Sequence, residues 1–140
     1  MDEDELEMFI EAQDTVLDEV RAELKAGTKT GHWIWFVFPQ LASLGQSRMS
    51  QLFGLHDLAE ATAYLAHPEL RTRLIEVSNL MLTHEGKAAD AILGSIDAQK
   101  LKSSMTLFAA VPGAPEEFRR VLDVFFDGQT CGRTLSEIAS

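Results

Sequence analysis

The sequence predicts an all-α protein: a single compact, mainly helical domain of about seven helices with little or no sheet. Apolar residues recur three and four positions apart through most of the 140 residues, which is the spacing of helices with one buried face. Glycine and proline separate these segments where helices commonly end. A chain of this length ordinarily forms one domain, so we expect residues 1–140 to fold as one unit.

The predicted elements follow one another with short connections. An acidic N-terminal helix is expected over about residues 4–26 and a frayed C-terminal turn over about residues 134–140, opened by a capping box at Thr134. The apolar run 32–38 is interpreted as a short helix or an extended core segment, because a lone strand would leave its backbone groups unpaired. The other predicted helices run from Ser47 to Phe53, Asp57 to His67, Pro68 to Gly86, Ala88 to Leu93, Asp97 to Phe108 and Pro115 to Gly128, with Ser47, Asp57 and Asp97 as N-caps.

Charge narrows the possible partners. The net charge is −10, and residues 1–23 contain ten acids against one arginine. Such a surface repels phosphate backbones, so nucleic-acid binding is not expected. The acidic helix is either a solvated face or a docking surface for a basic protein partner. The start MDEDELEMF is acidic where a signal peptide is basic, and no apolar run is long enough to span a bilayer. We therefore expect a cytoplasmic protein without membrane contact.

Standard catalytic motifs are absent from the sequence. It contains no Walker loop, no dinucleotide-binding glycine motif and no nucleophile elbow. Its four histidines lie far apart without metal-ligand spacing, so we predict no metal and no cofactor. Cys131, the single cysteine, cannot form an intramolecular disulfide, and its sequence neighbours give no sign of an activated thiol.

The segment from His32 to Gln40 is a first candidate for a ligand site. It places Trp33, Trp35, an imidazole and an amide within ten residues. Aromatic faces with a few polar groups suit a flat ring such as a nucleobase or nicotinamide. The alternative is a packed core in which each polar group has a partner. Gln13, on the apolar stripe of the first helix, is open to the same two interpretations.

A second candidate lies in the helix predicted from Asp97. At 100° per residue, Asp97, Lys100 and Ser104 fall within about 60° of one another. A carboxylate, an ammonium and a hydroxyl on one face could bind a polar ligand or act in acid–base catalysis. The alternative is structural: Asp97 caps the helix and pairs with Lys100, while Ser103 and Ser104 allow close helix packing.

Three motifs occur in the chain, in the order GHWIWFVFPQLASLGQS, YLAHPELRTRL and ILGSIDAQKLKSSMTLFA. Through these motifs the chain resembles a bacterial family called domain of unknown function 1810. The resemblance runs from about Leu6 to Leu135. It implies a single, mainly α-helical domain but does not imply any particular reaction. The family pattern includes His32, Trp33, Pro39, Gln40, Gly45, Ser47, Asp97, Lys100, Leu101, Ser103, Ser104, Met105 and Thr106. The chain departs from it at Cys131-Gly132, where the family often has an Asp-Pro-like pair.

Two functions remain open from the sequence. In the first, the protein binds or hydrolyses a nucleotide-like or ADP-ribose-like small molecule. The predicted catalytic residues are then Asp97, Lys100, Ser104 and His32, and the predicted ligand-binding residues are Trp33, Trp35, Gln40, Ser47, Ser103, Thr106 and Gln13. In the second, the protein is a non-catalytic interaction domain that uses its acidic N-terminal helix. The sequence leaves open whether the protein is an enzyme.

Overall fold

A computed structural model describes residues 1–139. Within this range the chain forms ten α-helices and one 3-10 helix, Ala42–Leu44. The α-helices are α1 Glu3–Asp14, α2 Leu17–Ala26, α3 Ile34–Val37, α4 Arg48–Phe53, α5 Leu58–Ala66, α6 Pro68–Leu82, α7 Ala89–Leu93, α8 Ser95–Ala109, α9 Glu116–Phe126 and α10 Gly132–Ile138. These residues contain no strand, only a single parallel bridge between Leu41 and Leu55. The all-α prediction is confirmed, but the expected number of about seven helices was too low.

The first predicted helix is two helices. α1 ends at Asp14 and α2 begins at Leu17, because Val16 leaves the helical region with φ −130° and ψ 0°. The Thr15 hydroxyl donates to the Ala12 carbonyl at 2.7 Å, a local bond that competes with helix continuation. The remaining difference in number comes from two short elements. Residues 32–38 were predicted as either a short helix or an extended core segment and contain α3, and the predicted frayed C-terminal turn is α10.

Helix starts follow the predicted caps in some places only. Ser47 accepts a hydrogen bond from the backbone N–H of Ser50 at 3.1 Å, and Asp57 caps α5 in the same way. Asp97 was predicted as a cap but lies inside the first turn of α8, which begins at Ser95 after Gly94 at φ +85°. The capping box at Thr134 is also wrong, since α10 begins at Gly132 and Thr134 is buried within it.

Helix α8 occupies the middle of the fold, packed against α5, α7, α9 and α10. Phe108 on α8 lies 5.2 Å from Tyr64 and 5.9 Å from Phe118 between ring centres, and all three rings are fully buried. Another face of α8 reaches the surface and forms one wall of the cleft described below. None of the helices within residues 1–139 is long and apolar enough to cross a bilayer.

Candidate functional site

A cleft of about 350 Å³ opens where three parts of the chain meet: residues 40–46, one face of α8 and the start of α10. The volume lies near the lower end of the roughly 300–1,000 Å³ typical of small-molecule sites. The walls of the cleft consist of Gln40, Leu44, Gly45, Gln46, Ser50, Ile96, Gln99, Lys100, Ser103, Cys131 and Arg133.

The loop wall, residues 40–46, is held in place by backbone contacts. The Leu55 N–H donates to the Gln40 carbonyl at 2.9 Å, and the Gln51 amide donates to the Gly45 carbonyl at 2.7 Å. Gly45 sits so close to Ser50 that a Cβ there would lie 2.4 Å from the Ser50 Cβ. A larger residue at position 45 would push the loop away from α4. The loop wall is therefore fixed before any ligand arrives.

The helical wall is a stripe on α8. Ile96, Gln99, Lys100 and Ser103 are spaced three and four residues apart, so they share one face. Ile96 is 73% exposed, an apolar group at the edge of a polar cleft. The Ser103 hydroxyl lies within donating distance of two acceptors, the Gln99 carbonyl at 3.1 Å and the Cys131 sulfur at 3.5 Å, and shares its one hydrogen between them.

Cys131 joins the helical wall to α10. Its backbone N–H donates to the Thr106 hydroxyl at 2.9 Å, which anchors the start of α10 to α8. Partial burial acts to raise the pKa of the Cys131 thiol, but hydrogen bonding by the Ser103 hydroxyl and by the backbone N–H groups of Thr134 and Arg133 outweighs it, so the pKa lies below its ordinary value. The cleft thus contains a thiol with increased thiolate character.

The charges of the cleft differ in sign from those of the whole chain. Among residues 1–139, Lys100 and Arg133 are the charged residues of its walls, and no carboxylate lines it. The nearest described acid partner of Lys100 is Asp97, whose Oδ1 lies 3.4 Å from the Lys100 Nζ. The other oxygen of Asp97 lies 2.8 Å from the Nζ of Lys29, a side chain that is only 6% exposed.

The structure brings some of the predicted site residues together. Gln40, Lys100 and Ser103 line the cleft, and Asp97 stands beside it in contact with Lys100. The prediction had Ser104 on this face, but Ser104 is fully buried and its hydroxyl has no hydrogen-bond partner among residues 1–139.

The segment from His32 to Gln40 supplies Gln40 alone to the cleft. Trp33 is 1% exposed and its indole N–H donates to Glu23 at 3.0 Å. Trp35 is half-buried against the core, and His32 is exposed outside the cleft. Most of this segment therefore faces the protein interior or the open surface.

Three predicted ligand-binding residues have local partners instead. The Gln13 amide donates to the Phe36 carbonyl at 2.7 Å and to the Tyr64 hydroxyl at 3.0 Å. Ser47 caps α4. Thr106 donates from its hydroxyl to the Lys102 carbonyl at 2.8 Å and accepts from Cys131. None of the three lines the cleft.

Residues that could hold a metal do not cluster. Among residues 1–139, no three His, Cys, Asp or Glu side chains lie close enough to bind an ion together. Three of the histidines have partners of their own, one of them His67, which accepts from the Leu70 N–H at 3.4 Å. His84 lies 2.6 Å from the Leu24 carbonyl, and His56 lies 3.0 Å from Glu60.

The sequence reasoning missed several residues of the cleft. Gln99 and Ile96 could have been found, since they belong to the same helical stripe as Lys100 and Ser103. Cys131 and Arg133 could not, because nothing in the sequence shows that residue 131 meets Ser103, 28 positions earlier. The sequence had predicted the site on the neighbouring face of this helix, which carries Asp97 and Ser104.

Comparison with known proteins supports the resemblance seen in the sequence. The chain is similar to the conserved hypothetical protein Rv1873 from Mycobacterium tuberculosis, with 42% identity, a TM-score of 0.93 and 96% of each chain covered. No protein with a curated description is significantly similar to it. The model of a family described as "Protein of unknown function (DUF1810)" matches residues 3–138. Since this match takes in nearly the whole sequence, the chain belongs to the DUF1810 family.

Proposed function

We propose that this protein binds a small anionic molecule in the cleft between residues 40–46, α8 and the start of α10. The observation that carries the proposal is the charge of the walls. Within residues 1–139, two cations, Lys100 and Arg133, line the cleft and no carboxylate does, Asp97 standing beside it, in a chain whose net charge is −10. A cleft lined by one sign of charge concentrates ligands of the opposite sign.

The uncharged residues of the cleft further restrict the class of ligand that could bind there. Side-chain amides of Gln40, Gln46 and Gln99 can donate to and accept from a polar molecule. Leu44 and Ile96 offer apolar surface at the same cleft. A phosphate- or carboxylate-bearing molecule of roughly mononucleotide size fits these features and the volume. A nucleotide belongs to this class, whereas an ADP-ribose-like molecule would extend beyond the cleft.

The aromatic rings do not take part in this proposal. No aromatic side chain from the described part of the chain lines the cleft, so a base or nicotinamide ring would find no stacking surface there. Recognition would depend on the anionic group and on hydrogen bonds. Hydrolysis of the ligand would have to draw on Cys131, Ser103 and Lys100, the reactive groups at the cleft, while Ser104 and His32 lie outside it. The free thiol of Cys131 suits a cytosolic location, which we retain as part of the proposal.

Calorimetric titration with four anions tests the proposal: inorganic pyrophosphate, AMP, ADP-ribose and citrate. We expect the wild-type protein to bind at least one of them saturably, with affinity that falls as salt rises. Lys100→Gln and Arg133→Gln should each weaken binding about tenfold, because each removes a charge from the cleft.

The matched controls are Lys25→Gln and Arg120→Gln, exposed cations on α2 and α9 that do not line the cleft. Each control removes one positive charge from the chain, as the cleft variants do, and should leave the dissociation constant within about twofold of the wild-type value. Binding of none of the four anions by the wild type would refute the proposal. So would an equal loss in the control variants, which would show a response to net charge alone.

A second candidate function uses the acidic helix α1 as a docking surface for a basic protein. Glu3, Glu7 and Glu11 are exposed and lie four residues apart, so they form one acidic face. Binding should weaken with salt and be lost when all three become glutamine. Capture of a basic partner that is insensitive to salt would count against this candidate.

A further inference from the structure

We infer that Lys29 is a positioning residue for the cleft: by neutralising Asp97, it leaves the positive charge of Lys100 available to an anion. The inference rests on the proposed function of the cleft. Lys29 itself does not line the cleft and belongs to the connection between α2 and α3. Its influence on a ligand would pass through Asp97.

Lys29 is fixed in place by its surroundings. Its backbone N–H donates to the Ile92 carbonyl at 2.8 Å, which ties the connection to α7. Its side-chain ammonium donates to the Gly31 carbonyl and lies 5.0 Å from the centre of the Trp33 ring. At 6% side-chain exposure, this ammonium is largely shielded from solvent. A buried charge of this kind needs a close counter-charge, and Asp97 supplies it at 2.8 Å.

Asp97 is shared between two lysines of different exposure. Its Oδ2 meets buried Lys29 at 2.8 Å, and its Oδ1 meets Lys100 at the longer distance of 3.4 Å. The ammonium groups of Lys29 and Lys100 and the carboxylate of Asp97 form a trio with one net positive charge. This charge lies on the side of the trio where Lys100 lines the cleft. Without Lys29, the carboxylate would pair with Lys100 alone, and the trio would be neutral.

A purely structural role for Lys29 makes a different prediction. The Lys29–Asp97 pair also joins the α2–α3 connection to α8, so removing it should lower stability under either view. Only the electrostatic role ties affinity for anions to the net charge of the trio. Variants that change this charge in opposite directions separate the two.

The test compares Lys29→Met, Asp97→Asn and the double variant, each titrated with the same four anions under conditions where circular dichroism shows the variant folded. Lys29→Met should bind about tenfold more weakly than the wild type, since the trio becomes neutral. Adding Asp97→Asn restores one positive charge, so the double variant should return to within about twofold of the wild type. Its thermal stability should stay below that of the wild type.

Three results would overturn the inference: an unchanged affinity in Lys29→Met, a double variant as weak as Lys29→Met, or affinity that follows stability across the set. If Lys29→Met does not fold, the double variant is compared with Asp97→Asn, because the two differ only at Lys29. Asp97→Asn should bind several-fold more tightly than the double variant, and equal or weaker binding would refute the role of Lys29. Binding of none of the four anions by the wild type would instead refute the proposed function, and this inference with it.

Discussion

The aromatic segment, residues 33–38, and the cleft face of α8, formed by Ile96, Gln99, Lys100 and Ser103, both place polar groups beside apolar ones. The protein uses them in opposite ways. The aromatic segment turns inward: Trp33, Phe36 and Phe38 are buried. The cleft face places Gln99 and Lys100 at an open cleft, which Ser103 also lines although it is largely buried. Residue types alone do not distinguish a core from a site; what matters is whether the polar atoms are buried with their partners or lie at an open cleft.

Partners inside the protein explain the difference. The Trp33 indole bonds to Glu23, and the Phe36 carbonyl accepts from the Gln13 amide. A buried polar group that is satisfied in this way contributes to stability and has nothing left for a ligand. On the cleft face, Gln99 is exposed. We therefore expect substitutions in the aromatic segment to reduce stability, and substitutions on the cleft face to affect binding.

The largest effect is expected at Trp33. Trp33→Ala should lower the free energy of unfolding by about 3–5 kcal/mol, because it leaves a large cavity and removes a partner of Glu23. Guanidinium denaturation measures it. Gln99→Ala on the cleft face is the control and should stay within about 0.5 kcal/mol of the wild type. Similar losses of unfolding free energy in both variants would contradict the distinction between the two regions.

The next effect concerns Glu23 and pH. Its carboxylate accepts from the backbone N–H groups of Thr30 at 2.7 Å and Gly31 at 2.8 Å, and from Trp33. Burial acts to raise the pKa of Glu23, but these bonds outweigh it and hold the pKa below its ordinary value of 4.5. A lowered pKa in the folded state means stability that is present above 4.5 and lost as the pH falls through the folded value.

Glu23→Gln should therefore flatten the pH dependence of unfolding below about pH 5 and reduce stability at pH 7 by about 1–3 kcal/mol. Urea denaturation between pH 3 and 7 measures both effects. Glu19→Gln, an exposed acid on the same helix, is the matched control. An unchanged pH profile in Glu23→Gln would mean that its hydrogen bonds do not favour the ionised form.

A smaller effect is expected at the thiol of the cleft. Cys131 should react with iodoacetamide with an apparent pKa below the ordinary value of 9.0. Ser103→Ala should slow this reaction about threefold at pH 7, since it removes a hydrogen bond to the sulfur. Ser95→Ala, at the exposed start of α8, should leave the rate unchanged. Faster alkylation in Ser103→Ala would show that Ser103 shields the thiol rather than activating it.

The smallest effect is expected at Ser104. Its hydroxyl is buried without a partner among residues 1–139, so Ser104→Ala should leave stability unchanged or raise it by up to about 1 kcal/mol. Thermal unfolding measures the change. Ser103→Ala, which loses bonds to Gln99 and Cys131, gives the contrast on the neighbouring face. A clear loss of stability in Ser104→Ala would reveal a hydrogen bond that the hydroxyl makes after all.

Much of the fold follows from local sequence. Ser47, Asp57 and Pro68 mark the starts of α4, α5 and α6, because capping and proline geometry act within a few residues. The break between α1 and α2 has a weaker local signal, since apolar spacing continues through Val16. The start of α8 was also misjudged: the helix begins at Ser95, two residues before Asp97.

The sequence by itself determined the helical class, the order of most helices, the family and the presence of Lys100, Ser103 and Gln40 among the candidates. Helical spacing and capping are local properties, so they can be read along the chain. Only the tertiary structure decided that Trp33 is core, that Cys131 meets Ser103 and that Lys29 meets Asp97. These contacts join residues far apart in sequence, and their partners are set by packing rather than by spacing.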